Sequence, residues 1–166
     1  CAEGAALATG TEVSQEFITI THEKIPNAVL AGVMHRNLVA LGVPSYNPEE
    51  EKFARDLQKS CNAPEIGMDR QIQPLGPGST GVSDNSEYSW FAPFVMGWTA
   101  CAPPGVGWHN WQVNAAANSG LGWKAMLLAV RVLMATGLDL LLNESLLIEA
   151  KEELKRRLAG REYRSI

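Results

Sequence analysis

An α/β fold is what this sequence predicts, and three observations lead there. Two runs, TEVSQEFITI (residues 11–20) and FAPFVMGWTAC (residues 91–101), are rich in β-branched and aromatic residues and read as strands. Between them lie two segments that restart as helices, the first with apolar residues three and four apart. After them come a long apolar helix and a charged amphipathic one. Strands that alternate with helices place a chain in the α/β class.

Each element has its own local justification. In CAEGAALATG, Ala2, Ala5, Ala6, Leu7 and Ala8 read as the last turns of a helix, closed by Gly10 as a left-handed cap. With no initiator Met, that opening suggests a fragment of a longer protein; a short processed N-terminal helix is the alternative. After the 11–20 strand, THEKIPN turns the chain: Pro26 disfavours helix at Ile25, and Asn27 suits an N-cap. Leu30, Val33, Met34, Leu38 and Leu41 then form one core-facing stripe, with His35 and Arg36 off it. The next helix has Asn47 as cap, Pro48 in its first turn and Glu49 to Glu51 at the positive end of the dipole, with Phe53 and Leu57 as a thin apolar face.

Residues 62–82 are a Gly/Pro-rich connection of a length that usually marks a functional or mobile loop. The apolar run 91–101, bounded by turn residues, suits a buried strand, and residues 103–112 form a loop. Residues 119–142 make the long apolar helix, weakened at Gly137. A last helix over 143–158 is amphipathic through Leu147, Ala150, Leu154 and Leu158 and ends at Gly160.

Composition narrows the function classes. The 166 residues suffice for a real core, and 46% hydrophobic with 19% charged residues is ordinary for a soluble globular protein. A net charge of −4 offers no basic surface, which argues against nucleic acid or an anionic membrane as partner. Cys1, Cys61 and Cys101 have no paired spacing, so reduced thiols in a cytoplasmic protein are expected. No run reaches the roughly 18 uninterrupted apolar residues of a membrane span, and no signal-peptide pattern is visible.

Two loops border the predicted buried strand, where open α/β sheets place ligands. In GSTGVSDNSEYSW, Asp84 and Glu87 come close together among Gly, Ser and Asn; Asp84 followed by Asn85 and Ser86 also fits an Asx turn or helix cap. In PPGVGWHNWQ, a lone His109 lies between Trp108 and Trp111, as a ligand-holding imidazole or as a hydrogen-bonded one wedged between indoles. A zinc site needs three or four ligands, and His22 and His35 are the only other histidines. There is no Gly-x-Ser-x-Gly elbow and no phosphate-binding loop. Lys124, early in a helix, reads as a surface residue.

Four stretches carry a family resemblance: THEKIPNAVLAGVMHRNLVALG, EEEKFARDLQKS, SDNSEYSWFAPF and GWHNWQ with GLGWKAMLLAVRVL. In that order they resemble the C-terminal part of the M20 zinc amidohydrolases, in the branch of the aminobenzoyl-glutamate utilisation protein B type. The likeness runs from Cys1 to about residue 135.

The resemblance implies a C-terminal part of a three-layer, zinc-peptidase-like catalytic domain from residue 23 to 166. Residues 1–22 would be the last helix and strand of a lid that also dimerises. It implies two zinc ions (other divalent metals being possible) in the whole protein, a homodimer, and a small amide substrate such as an N-acyl or aryl-amide amino acid. His109 would be the final metal ligand, while the general base and the other ligands would lie in an earlier part of the same protein. Asp84 and Glu87 would sit in the active-site loop. SDNSEYSW stands where many relatives carry Thr-Asp-Val-Gly-Asp-Val-Ser-Trp, which leaves the roles of those two acids open. Trp108 and Trp111 would wall the substrate site or simply pack. The competing reading is a non-catalytic scaffold or interaction chain derived from that fold.

Overall fold

Helix starts fall where the sequence supplies a side-chain acceptor for an orphan backbone N–H. Asn27 Oδ1 accepts from Leu30 N at 3.0 Å, Asn110 Oδ1 from Val113 N at 3.1 Å and Ser119 Oγ from Leu121 N at 3.2 Å. Asn47 and Glu50 close a reciprocal box, each side chain accepting from the other's backbone N–H at 2.8 Å. In the computed structural model, which describes residues 1–165, these caps open α2 (Ala28–Leu41), α3 (Pro48–Ser60), α4 (Trp111–Ala117) and α5 (Gly120–Leu142). A short α1 (Ala2–Thr9) precedes them, a 3₁₀ helix (Asp84–Trp90) separates α3 from α4, and α6 (Glu144–Leu158) ends the series. Gly10 closes α1 in the left-handed conformation, φ 69°, as expected.

The α/β expectation is overturned. Among the described residues there is no strand, only an isolated antiparallel bridge between Glu23 and Val82, so the chain is all-α rather than part of a three-layer α/β domain. The two runs read as strands are extended but lack a ladder. Residues 11–20 are exposed throughout. Residues 93–102 form no backbone–backbone hydrogen bond with any other described residue. β-Propensity describes a fit to a pleated, paired surface, and without a neighbouring strand it produces extended chain only.

Two patches of core hold the helices. α2 packs along α5 and against α6, burying Leu30, Val33 and Met34 from α2, Val132 and Thr136 from α5, and Ala150 and Leu154 from α6. A second cluster joins Ala54, Leu57 and Met68 to Ala116 and Leu121, with Tyr46, Phe53 and Val106 packed around it. α5 runs unbroken through Gly137, because one glycine costs only about 1 kcal/mol in a helix and the turn beside it is buried at Thr136. The expected weakness there is not seen.

α6 does more than cover α2. Glu153, nearly buried, accepts from Ala28 N and Val29 N at 3.0 Å each, while Asn27 Nδ2 donates to Ala150 O at 2.9 Å. The first turn of α2 is thus capped from a helix more than a hundred residues away. Burial alone would raise the Glu153 carboxyl; the N–H groups of Ala28 and Val29, with Arg157, outweigh it and hold the group below the ordinary carboxylate range.

Candidate functional site

The loop that carries His109 is built on the end of α3. Gln58 is fully buried, and its amide donates to Gly67 O (3.3 Å) and Pro104 O (2.9 Å) while its carbonyl accepts from Gly67 N (2.9 Å). One side chain therefore ties the 62–68 loop to the 103–105 turn. Gln112 Nε2 donates to Ser60 Oγ at 3.3 Å and fastens the far side of the loop to the same helix end. Gly105 has φ 82°, and a Cβ there would lie 2.7 Å from Ala63 Cβ, so the turn is closed to any other residue. Pro103 is buried, and Asn110 caps α4 immediately after the loop.

Within this frame His109 stands exposed with φ 67°, left-handed backbone that is strained for a side-chain-bearing residue but that histidine adopts more readily than most. Among the described residues its ring makes no hydrogen bond and no aromatic pair. Trp108 instead meets Trp98, ring centroids 5.5 Å apart, and both Trp108 and Trp111 are 62% exposed. The imidazole is not wedged between indoles.

The second loop is organised around Glu87. Lys24 N donates to Gly81 O (3.3 Å), Ile25 N to Ser89 Oγ (2.9 Å) and Trp90 Nε1 to Glu23 O (2.9 Å), which lashes residues 22–25 along the 3₁₀ helix. His22 then brings both its backbone N (2.6 Å) and its Nδ1 (3.1 Å) to the Glu87 carboxylate. The N–H of His22 is the main cause that holds the Glu87 carboxyl low; burial opposes it, and Tyr163 and the His22 ring add to the lowering. In return Glu87 raises the Tyr163 hydroxyl. His22 stacks between Trp90 and Tyr163 at 5.0 and 4.7 Å, and Arg161 lies over the Trp90 ring while pairing with Glu23 at 2.8 Å. Glu87 is thus already engaged by His22 and Tyr163. Asp84 is exposed, its Oδ1 accepting only from Asn85 N (2.9 Å) among the described residues.

Between these loops lies a cleft of about 650 Å³ lined mainly by apolar groups, with Met34 and His35 on its α2 wall and residues 71–76 and 95–106 along its sides. That volume lies within the range of small-molecule sites. Trp108 lines it; His109, Trp111, Asp84 and Glu87 do not. Tyr46, on the same wall, has its hydroxyl pushed up by burial and by Glu50 and Glu51. Glu51 is held low by a hydrogen bond from Arg70 (2.7 Å) that outweighs its burial, with Met68 N–H assisting. Lys124, which reads from sequence as a surface residue, bonds Glu50 at 2.6 Å and Ser45 O at 2.8 Å and closes the end of the same wall.

The structure therefore gives His109 and Glu87 separate surroundings. Among the described residues no group of three or more His, Cys, Asp or Glu side chains converges as a metal site. His109 is an accessible single donor, and one imidazole does not make a site for a zinc pair. Sequence reasoning missed the His22–Glu87 pairing and the anchoring role of Gln58. A histidine in a turn and a glutamine late in a helix carry no local signal of partners 65 and 46 residues away.

No family model and no solved structure matches the chain. Among curated proteins it is similar to the B-type component of the p-aminobenzoyl-glutamate hydrolase of Escherichia coli (strain K12), with 28% identity over 92% of this chain. The match takes in 37% of that protein, so the chain spans little more than a third of this relative's length.

Proposed function

We propose that this chain is the C-terminal part of a metal-dependent amidohydrolase of M20 type, which hydrolyses amide bonds of N-acyl or aryl-amide amino acids. The similarity to the p-aminobenzoyl-glutamate hydrolase component, extending over 92% of the chain, carries the reading. An exposed imidazole held at positive φ by a braced loop supports it, since strain of this kind concentrates at functional sites. On this reading His109 is one ligand of a zinc site. The remaining ligands and the general base come from polypeptide outside these residues, because the donors present here do not compose a site. Bound zinc would supply a water made nucleophilic near neutral pH and a polarised amide carbonyl. The chain's own contribution is positional: Gln58 and Gln112 fix the loop, and Trp108 with the cleft offers an apolar wall to an aromatic acyl or amine group.

The test is His109→Ala in the protein translated from the whole gene. Turnover of p-aminobenzoyl-glutamate and bound zinc per chain should both fall, turnover by about a hundredfold or more, while stability changes by at most about 1–2 kcal/mol. Full zinc content with near-normal turnover would end the assignment. The 166-residue chain alone should hydrolyse nothing and bind zinc weakly by isothermal titration.

A further inference from the structure

The outer face of α5 is apolar from end to end. Trp123, Met126, Val130, Leu133, Leu138 and Leu141 recur along it and are between 45% and 83% exposed. The opposite face is the one buried on α2, α4 and α6. A stripe over a helix about 34 Å long exceeds what a soluble surface normally leaves to water. Beside this helix lies the cleft, into which Ala125 and Leu128 of α5 project, and whose two sides are the extended segments 71–76 and 95–102. Neither segment forms a backbone–backbone hydrogen bond among the described residues.

We propose that the α5 face and this cleft form one docking surface for further polypeptide of the same protein, with one incoming extended segment lying beside residues 93–102 and pairing with their main chain. Three observations select that occupant. The similar hydrolase component carries most of its length, all but 37%, outside the match, so a longer protein has the polypeptide to supply. The unpaired N–H and C=O groups of residues 93–102 require a main-chain partner, which a second copy presenting its own α5 does not provide. Finally, α5 has the length and mean hydropathy (2.0) of a membrane span, but it is fastened along one side to α2, α4 and α6, and the chain's net charge is −4. None of these observations depends on the amide chemistry.

Hydrogen exchange followed by mass spectrometry, on the 166-residue chain and on the protein from the whole gene, tests it. In the longer protein the amides of residues 93–102 should exchange at least about tenfold more slowly than in the chain alone. Val130→Glu and Leu133→Glu should reduce the folded yield of the longer protein and leave the helicity of the 166-residue chain unchanged. Equal exchange in the two proteins would overturn the proposal, as would a gene that encodes nothing beyond these residues. So would a stable dimer of the chain that Val130→Glu disperses, which assigns the face to a second copy. Binding of the chain to phosphatidylglycerol vesicles would overturn it too, by assigning the face to a membrane. Zinc content and turnover do not enter any of these readouts, so failure of the hydrolase reading leaves the result intact.

Discussion

Replacing Glu153 by Gln removes one charge and one acceptor from the junction between α6 and α2. In the native chain its two oxygens take Ala28 N and Val29 N separately, at 3.0 Å each, and Oε1 also takes Arg157 Nε at 2.8 Å. A glutamine amide offers one oxygen, so one of the two N–H groups loses its acceptor and the other trades a charged partner for a neutral one. A hydrogen bond to a charged group is worth about 1.5–3 kcal/mol. The side chain is only 9% exposed, so screening by solvent is slight. A loss of about 2 kcal/mol follows, or a urea midpoint lower by about 1 M for a slope near 2 kcal/mol/M. Unfolding followed by circular dichroism at pH 7 reads it, with Glu152→Gln, exposed on the same helix, as a control expected to stay within about 0.5 kcal/mol. Because the folded Glu153 carboxyl is held below its ordinary value, its contribution is present above the ordinary carboxylate range of about 4.3 and is lost as pH falls through the lower folded value. The gap between native chain and Glu153→Gln should therefore be largest at neutral pH and close on acidification below about pH 4. A midpoint for Glu153→Gln no lower than that of Glu152→Gln would show that α6 does not cap α2 in solution.

Gln58→Leu keeps the side-chain bulk but strips partners from Gly67 N, Gly67 O and Pro104 O; a loss of about 2–4 kcal/mol in stability to urea is expected, and a change under about 0.5 kcal/mol would refute the anchoring role. Limited proteolysis should cut first within residues 11–21, which are exposed and lack tertiary support; first cuts inside α2 or α5, mapped by mass spectrometry, would contradict that.

Local chemistry is legible in this sequence and pairing is not. The caps at Asn27 and Asn47, the Gly10 terminus and the α2 stripe through Val33 and Met34 all follow from residues within one or two turns of each other. Helix α4 escapes a sequence reading because WQVNAAA is too short for a periodicity, although Asn110 before it is a good cap residue. The strand readings fail for a different reason. Residues 11–20 and 91–101 have strand composition, yet a strand exists only in a ladder, and no described residue supplies one. At the site, the exposure of Trp108 and Trp111 does not follow from their flanking of His109, because indole packing depends on which residues, here Trp98, arrive from elsewhere. Glu87 stands out in the sequence for its neighbourhood, but its distinguishing contacts come from His22 and Tyr163, on either side of it in sequence and remote from it.

The His109 loop shows why an exposed residue can still be a fixed one. A histidine free to relax would leave the left-handed region, which costs roughly 1–2 kcal/mol for a residue with a Cβ. It is kept there by its neighbours rather than by its own contacts. Gly105 closes the turn against Ala63, Gln58 holds Pro104 O, and Asn110 must keep extended backbone to accept from Val113 N. Each anchor lies on α3 or at the start of α4, and both helices are joined through Ala54, Leu57 and Ala116 in one core cluster. The pose of the imidazole backbone is therefore set by the core and exists before any ligand arrives. A ligand taken up at this point would not meet the cost of ordering the loop, because folding has already met it. That is the property a binding loop requires and a surface turn does not. It makes His109, though bare of partners among the described residues, the residue on which the functional reading most directly depends.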